Sequence, residues 1–101
     1  MTREEILALD DRPILEYKSE RWGIVKYRPV SLKEKALCRR KAQVEISPGK
    51  TETDNERLEA FLVIQCCVDP KFEANDVDYL LDKNAHEISK ISSLILELPN
   101  R

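Results

Sequence analysis

The strongest constraint on the fold is an apolar run at residues 57–70, which reads RLEAFLVIQCCVDP. Wound as a helix, this run points apolar side chains in nearly every direction, with only Glu59 and Gln65 as interior polar breaks. A helix that is apolar on all sides must be covered on all sides. The run is too short to span a bilayer, which takes about 20 residues. Pro70 ends it because proline cannot continue the hydrogen-bond ladder. The sequence therefore predicts a central apolar helix at about 56–69, inside a compact helical domain.

Length and composition are consistent with one domain covering residues 1–101. Hydrophobic residues make up 42% and charged residues 36% of the chain, which is typical of a globular protein with a well-solvated surface. The formal net charge is −2, so the basic excess of most nucleic-acid binders is missing. Residues 1–5 run directly into acidic sequence and do not read as a secretory leader. We therefore expect a cytoplasmic protein without a membrane partner.

The segments before the apolar run predict a small β-hairpin at about 14–28. Side chains two residues apart share a face of a strand, so Leu15 and Tyr17 lie on one face of the first strand, and Val25 and Tyr27 lie on one face of the second. The preceding residues read as a short helical turn whose apolar side chains tuck under the core. These side chains are Ile6, Leu7 and Leu9.

Further helices follow the hairpin. Ser31 and Glu34 have the spacing of a capping box, which predicts a helix at about 32–44. Its apolar stripe contains Ala36, Leu37 and Val44, with Lys33 and Arg40 inside the same arc. Residues 47–55 read as a mobile linker, and two more helices are predicted at about 76–83 and 85–98. The expected class is mainly α with a small N-terminal β-hairpin, that is, α+β.

In the later helices, Val77, Leu80 and Leu81 are expected to face inward. The last helix carries a continuous apolar stripe, and Pro99 ends it. The residues of that stripe are Ile88, Ile91, Leu94, Ile95 and Leu98.

Nothing in the sequence predicts catalysis, a cofactor or a metal ion. The Gly-Lys-Thr at residues 49–51 lacks the first glycine and the leading strand of a phosphate loop. His86 would need a nearby cysteine and an orienting third group to act with a nucleophile, and we expect it on the surface. Cys66 and Cys67 are adjacent on the predicted helix and point about 100° apart, which suits buried apolar packing better than a shared metal.

A basic cluster in the first long helix offers an alternative function, because its charges could track phosphates as in a small DNA-binding regulator. The cluster surrounds the helix instead of lining one face, and no helix-turn-helix partner precedes it. We therefore expect no nucleic-acid partner. The residues of the cluster are Lys33, Lys35, Arg39, Arg40 and Lys41.

Several short motifs follow one another along nearly the whole chain, at residues 3–7, 10–11, 22–23, 30–32, 68–70, 76–81 and 88–98. Each motif is weak alone, and their order and spacing carry the information. This order resembles the phage tail assembly chaperones, small proteins of long-tailed phages and prophages, commonly of Gram-positive hosts.

The resemblance implies a non-enzymatic protein that binds the tape measure protein and helps recruit tail tube subunits during tail assembly. It also implies action in the bacterial host cytoplasm and absence from the finished virion. Many such proteins have a second, longer form made by a translational frameshift. A structural component of the tail, or an adaptor of head–tail joining, is the other alternative.

Residues that do not fit a self-contained core give a hypothesis for the contact surface. Trp22 and Ile24 share the hairpin face opposite Val25 and Tyr27, and Leu96 points away from the last helix's stripe. Tryptophan and arginine often dominate protein contacts. We expect these residues to contact the tape measure protein or a second copy of this chain. The predicted contact residues are Trp22, Ile24, Lys33, Arg40 and Leu96.

Overall fold

The computed structural model describes residues 1–9 and 12–96. It has helices and small antiparallel sheets, so the α+β class is confirmed. The elements in chain order are α1 (Arg3–Ala8), β1 (Leu15–Ser19), β2 (Gly23–Tyr27), α2 (Leu32–Lys41), β3 (Gln43–Ser47), β4 (Lys50–Thr53), α3 (Asn55–Cys66), β5 (Cys67–Asp69), a 3-10 turn (Ala74–Asp76), α4 (Val77–Leu81) and α5 (Ala85–Leu96).

The first sheet has three strands in the order β1-β2-β5. β1 and β2 pair antiparallel, with Leu15 opposite Tyr27 and Ser19 opposite Gly23. Gly23 has a φ of +78°, a left-handed conformation that glycine adopts without the Cβ penalty. Val25 and Tyr27 face the core, whereas Ile24, which directly precedes Val25, faces solvent.

Helix α3 begins after Asp54, whose side chain accepts a hydrogen bond from the Arg57 amide. It packs against α2, α4 and α5. The predicted helix at 56–69 is wrong at its C-terminal end, because Cys67–Asp69 forms β5 and pairs with β2. The Arg28 amide donates to the Cys66 carbonyl over 2.9 Å, which fixes this strand to the end of the hairpin. The buried residues of α3 are Ala60, Leu62, Val63, Ile64 and Cys66.

Helix α2 has the predicted capping box: the Ser31 hydroxyl accepts from the Glu34 amide, and the Glu34 carboxylate accepts from the Ser31 amide. The helix ends at Lys41 and not at Val44, because Gln43–Ser47 forms β3. The predicted mixed stripe is therefore wrong. Cys38 is the buried residue of this helix, while Lys33 and Arg40 are exposed.

The linker predicted at 47–55 is also wrong. β3 and β4 form a second antiparallel hairpin, closed by a turn at Pro48 and Gly49. Gly49 has a φ of +79°, which a two-residue turn led by proline requires at its second position. Gln43 lies opposite Thr53 at the base of this hairpin.

The remaining helices differ from prediction in detail. Residues 74–76 form a 3-10 turn before α4, in which Leu80 is buried but Leu81 is 38% exposed, so its predicted inward position is wrong. In α5, Ile88, Ile91 and Ile95 are buried as expected. Leu98 and Pro99 lie outside the described residues. The longest helices in residues 1–9 and 12–96 have 12 residues, and none is long and apolar enough to cross a membrane.

Candidate functional site

The predicted contact residues lie on different elements. Trp22 sits in the β1–β2 turn and is half-buried against the core, whereas Ile24 on β2 is 54% exposed. Lys33 and Arg40 are exposed on α2, and Leu96 is exposed at the end of α5. All five side chains have surface area available to a partner, but the Trp22 ring is partly buried because it packs against the core.

Trp22 belongs to an aromatic cleft that sequence reasoning missed. Its ring lies 6.5 Å from that of Phe72, centroid to centroid, with a tilt of 59° between the planes. A cavity of about 330 Å³ lies beside this pair, lined also by Pro70, Leu80 and Lys83. The chain after β5 carries Phe72 to the hairpin turn. A single aromatic residue in an irregular segment gave no periodic signal by which to find it.

The cleft is positioned by a hydrogen-bond network around Ser19. The Ser19 hydroxyl accepts from the Trp22 amide over 2.9 Å and from the Arg21 amide over 3.2 Å. The same hydroxyl donates to the buried carboxylate of Glu87 in the first turn of α5. The Tyr17 hydroxyl also donates to Glu87, over 3.3 Å. This network fixes the turn that carries Trp22 to the start of α5.

The Glu87 network has an electrostatic consequence for Tyr17. Partial burial and the nearby Glu87 carboxylate raise the pKa of the Tyr17 hydroxyl above its usual value. The shift favours the protonated phenol, which is the form that donates the hydrogen bond to Glu87.

A second cleft of about 260 Å³ lies between α2, β5 and the segment before β1, and its lining includes Arg28 and Lys71. The Arg12 guanidinium forms an ion pair with Glu34 and donates to the Pro29 carbonyl over 2.8 Å. Burial alone would raise the pKa of Glu34, but hydrogen bonds from Gln65 and Ser31 and the charge of Arg12 lower it. Glu34 therefore caps α2 and also holds Arg12 in place through their ion pair.

The N-terminal apolar surface, defined as Ile6, Leu7 and Leu9, projects to solvent. These side chains are 57%, 68% and 50% exposed, and α1 contains no buried residue. The prediction that they tuck under the core is wrong. The helix is locally stabilised instead, because Thr2 and Glu5 form a capping box.

The cysteines are placed for packing. Cys38, Cys66 and Cys67 are free and buried. Burial raises the pKa of Cys66 and of Cys67 to about 12, so both thiols stay protonated and unreactive at neutral pH. His86 is exposed near the start of α5 and lines a surface cleft together with Glu20 and Arg21. Over the described ranges, no three His, Cys, Asp or Glu side chains form a group able to hold a metal ion.

Compared with protein-family models, curated proteins and solved structures, the chain matches none of them.

Proposed function

We propose that this chain is a phage tail assembly chaperone that binds the tape measure protein and helps recruit tail tube subunits during tail morphogenesis. The observation that supports it best is the N-terminal apolar surface. Ile6 and Leu7 on α1 and Leu9 directly after it are at least half exposed, and this helix has a capping box but no buried residue. An ordered apolar surface of this kind is typical of a contact site for another protein.

Other features support a protein contact of mixed character. Ile24 and Leu96 are 54% and 47% exposed, and Lys33 and Arg40 add exposed cations. The aromatic cleft has an apolar lining around Trp22. A long helical partner such as a tape measure segment presents apolar side chains at intervals of three and four residues, which such sites accept. In this function the protein acts in the host cytoplasm and leaves before the tail is complete.

Coexpression with the protein encoded by the gene immediately downstream tests the proposal. Leu7→Asp should abolish the soluble complex, because it puts a charge into the apolar surface. Its thermal unfolding temperature should stay at the parent value, since Leu7 is 68% exposed. Arg3→Gln changes the net charge by the same amount on the same helix and should leave the complex intact. Soluble complex in equal yield with Leu7→Asp would contradict this role for α1.

The contact residues on α2 need their own comparison. Arg40→Glu should reduce capture of the tape measure protein at least about tenfold, and Arg39→Glu, the same change at a neighbouring exposed position, should not. Trp22→Ala should weaken capture as well, with circular dichroism to verify its folding. Salt-dependent DNA binding lost in Arg40→Glu would favour the DNA-binding regulator instead. Recovery of the protein in purified particles would favour the structural component.

A further inference from the structure

The β3–β4 hairpin exposes an ordered sheet edge. Every residue of β3 is exposed, and in β4 only Thr53 is half-buried. Across residues 1–9 and 12–96, neither strand pairs with a third one. The hairpin base is fixed by two hydrogen bonds. The side-chain Nε2 of Gln43 donates to the Thr53 hydroxyl over 2.7 Å, and the backbone amide of Asp54 donates to the Ala42 carbonyl over 2.8 Å. An isolated hairpin is marginal in water, and a free edge is a template for another strand.

The charges on β4 suit pairing with a second β4. Lys50 and Glu52 are two residues apart, so they lie on the same face of the strand, and both are exposed. If two β4 strands pair antiparallel with Thr51 opposite Thr51, Lys50 of each copy lies opposite Glu52 of the other. Two opposite-charge pairs form in this one register by symmetry.

The same charges disfavour the symmetric registers next to this one on β4. A register centred on Lys50 puts two ammonium groups opposite each other, and one centred on Glu52 puts two carboxylates together. Pairing of β3 with a second β3 forms no opposite-charge pair in any register, because Glu45 is its only charged residue, and the register centred on Glu45 brings two carboxylates face to face. Like charges directly opposite destabilise a pair of strands. Among symmetric pairings within β3 or within β4, the Thr51 register is thus the one that places opposite charges together without placing like charges together.

We propose that this chain forms a symmetric dimer in which β4 pairs antiparallel with β4 of a second copy, centred on Thr51. The product is a four-stranded sheet in the order β3-β4-β4-β3. Val44 is opposite Glu52 in the hairpin, so the two side chains lie on the same face of the sheet. Because the two-fold axis is perpendicular to the sheet, Val44 of both copies lies on the face that carries the ion pairs. The contact is small, which makes the dimer weak and concentration-dependent. It does not depend on the function proposed above.

Sedimentation of the full chain over a concentration series tests this dimer. The parent protein should change from monomer to dimer as its concentration rises. Lys50→Glu and Glu52→Lys should each raise the dissociation constant at least about tenfold, because each creates two like-charge pairs. The double variant, Lys50→Glu with Glu52→Lys, restores opposite charges and should associate as the parent does.

Mixing the two single variants gives the sharpest comparison. One chain then carries two carboxylates on β4 and the other two ammonium groups, so the equimolar mixture should form a heterodimer at least as tightly as the parent dimer. Lys90→Glu, an exposed change on α5, controls for net charge and should leave association unchanged. A parent protein that stays monomeric at every concentration overturns the proposal. So does a mixture that associates no better than each single variant alone.

A crosslink measures the register independently. Thr51→Cys should form a disulfide-linked dimer under mild oxidation, because the two positions lie opposite each other across the axis. Thr53→Cys is the matched control. In the Thr51 register, residue 53 of one chain is not opposite residue 53 of the other, so this variant should crosslink slowly. Equal crosslinking at both positions would contradict the Thr51 register.

Discussion

The hydroxyl of Ser19 donates a hydrogen bond to the carboxylate of Glu87, 68 residues later in the chain. Both side chains are buried, at 7% and 4% exposure. Ser19 ends β1 and Glu87 lies in the first turn of α5, so this contact joins the first sheet to the last helix. It also orders the turn that holds Trp22, because the same hydroxyl accepts from the Trp22 amide.

Ser19→Ala should lower the free energy of unfolding by about 1.5–3 kcal/mol, because it removes a hydrogen bond to a charged group and leaves a buried carboxylate short of one donor. Urea denaturation measures the change. Ser93→Ala, an exposed serine on α5, should stay within about 0.5 kcal/mol of the parent. Equal effects of the two substitutions would show that the Ser19–Glu87 contact contributes little.

Glu34 should make stability depend on pH in the acid range. Its pKa in the folded protein is lowered, so its contribution is fully present above the ordinary value of 4.5 and is lost as pH falls through the lower folded value. Glu34→Gln should therefore destabilise the protein at neutral pH. The difference from the parent should shrink as pH falls below 4.5. Thermal unfolding of both proteins across this range measures it, and a gap that stays constant down to pH 2 would contradict the assignment.

The three thiols should be protected in the folded state. Cys66 and Cys67 are 2% exposed, and burial raises the pKa of both to about 12. Burial also raises the pKa of Cys38. A thiol reagent at neutral pH should label none of them faster than the protein opens, and all three rapidly in denaturant. Immediate labelling of the native protein would place a cysteine at the surface.

Charged substitutions inside the core should unfold the protein. Leu62→Asp on α3 and Ile91→Asp on α5 each bury a carboxylate at positions that are 1% or less exposed. Circular dichroism should show no cooperative thermal transition for either variant. Leu62→Ala, a milder change, should cost about 2–5 kcal/mol. Leu32→Ala provides the exposed control, since Leu32 is 86% exposed and its loss should be nearly neutral.

The sequence alone determined features whose cause is local. The Ser31–Glu34 capping box follows from a three-residue spacing, and it forms as expected. The burial of Ile88, Ile91 and Ile95 follows from helical periodicity. In these cases the residues that decide the structure lie within one or two turns of each other.

Tertiary structure decided where α2 and α3 end. Cys67–Asp69 is apolar enough to continue α3, but β2 offers backbone partners that turn these residues into β5. Gln43–Ser47 leaves α2 because β4 pairs with it after a turn. A strand's hydrogen bonds go to a distant segment, so a short strand carries little local signal.

Tertiary structure also decided which groups reach solvent. Lys33 and Arg40 are exposed because the core contacts α2 at Cys38, and Ile6 and Leu7 are exposed because α1 lies away from the buried residues. The pattern of apolar residues fixes which side chains share a face of a helix. Which of those faces is covered depends on the elements that pack against it, and that is set only when the whole chain has folded.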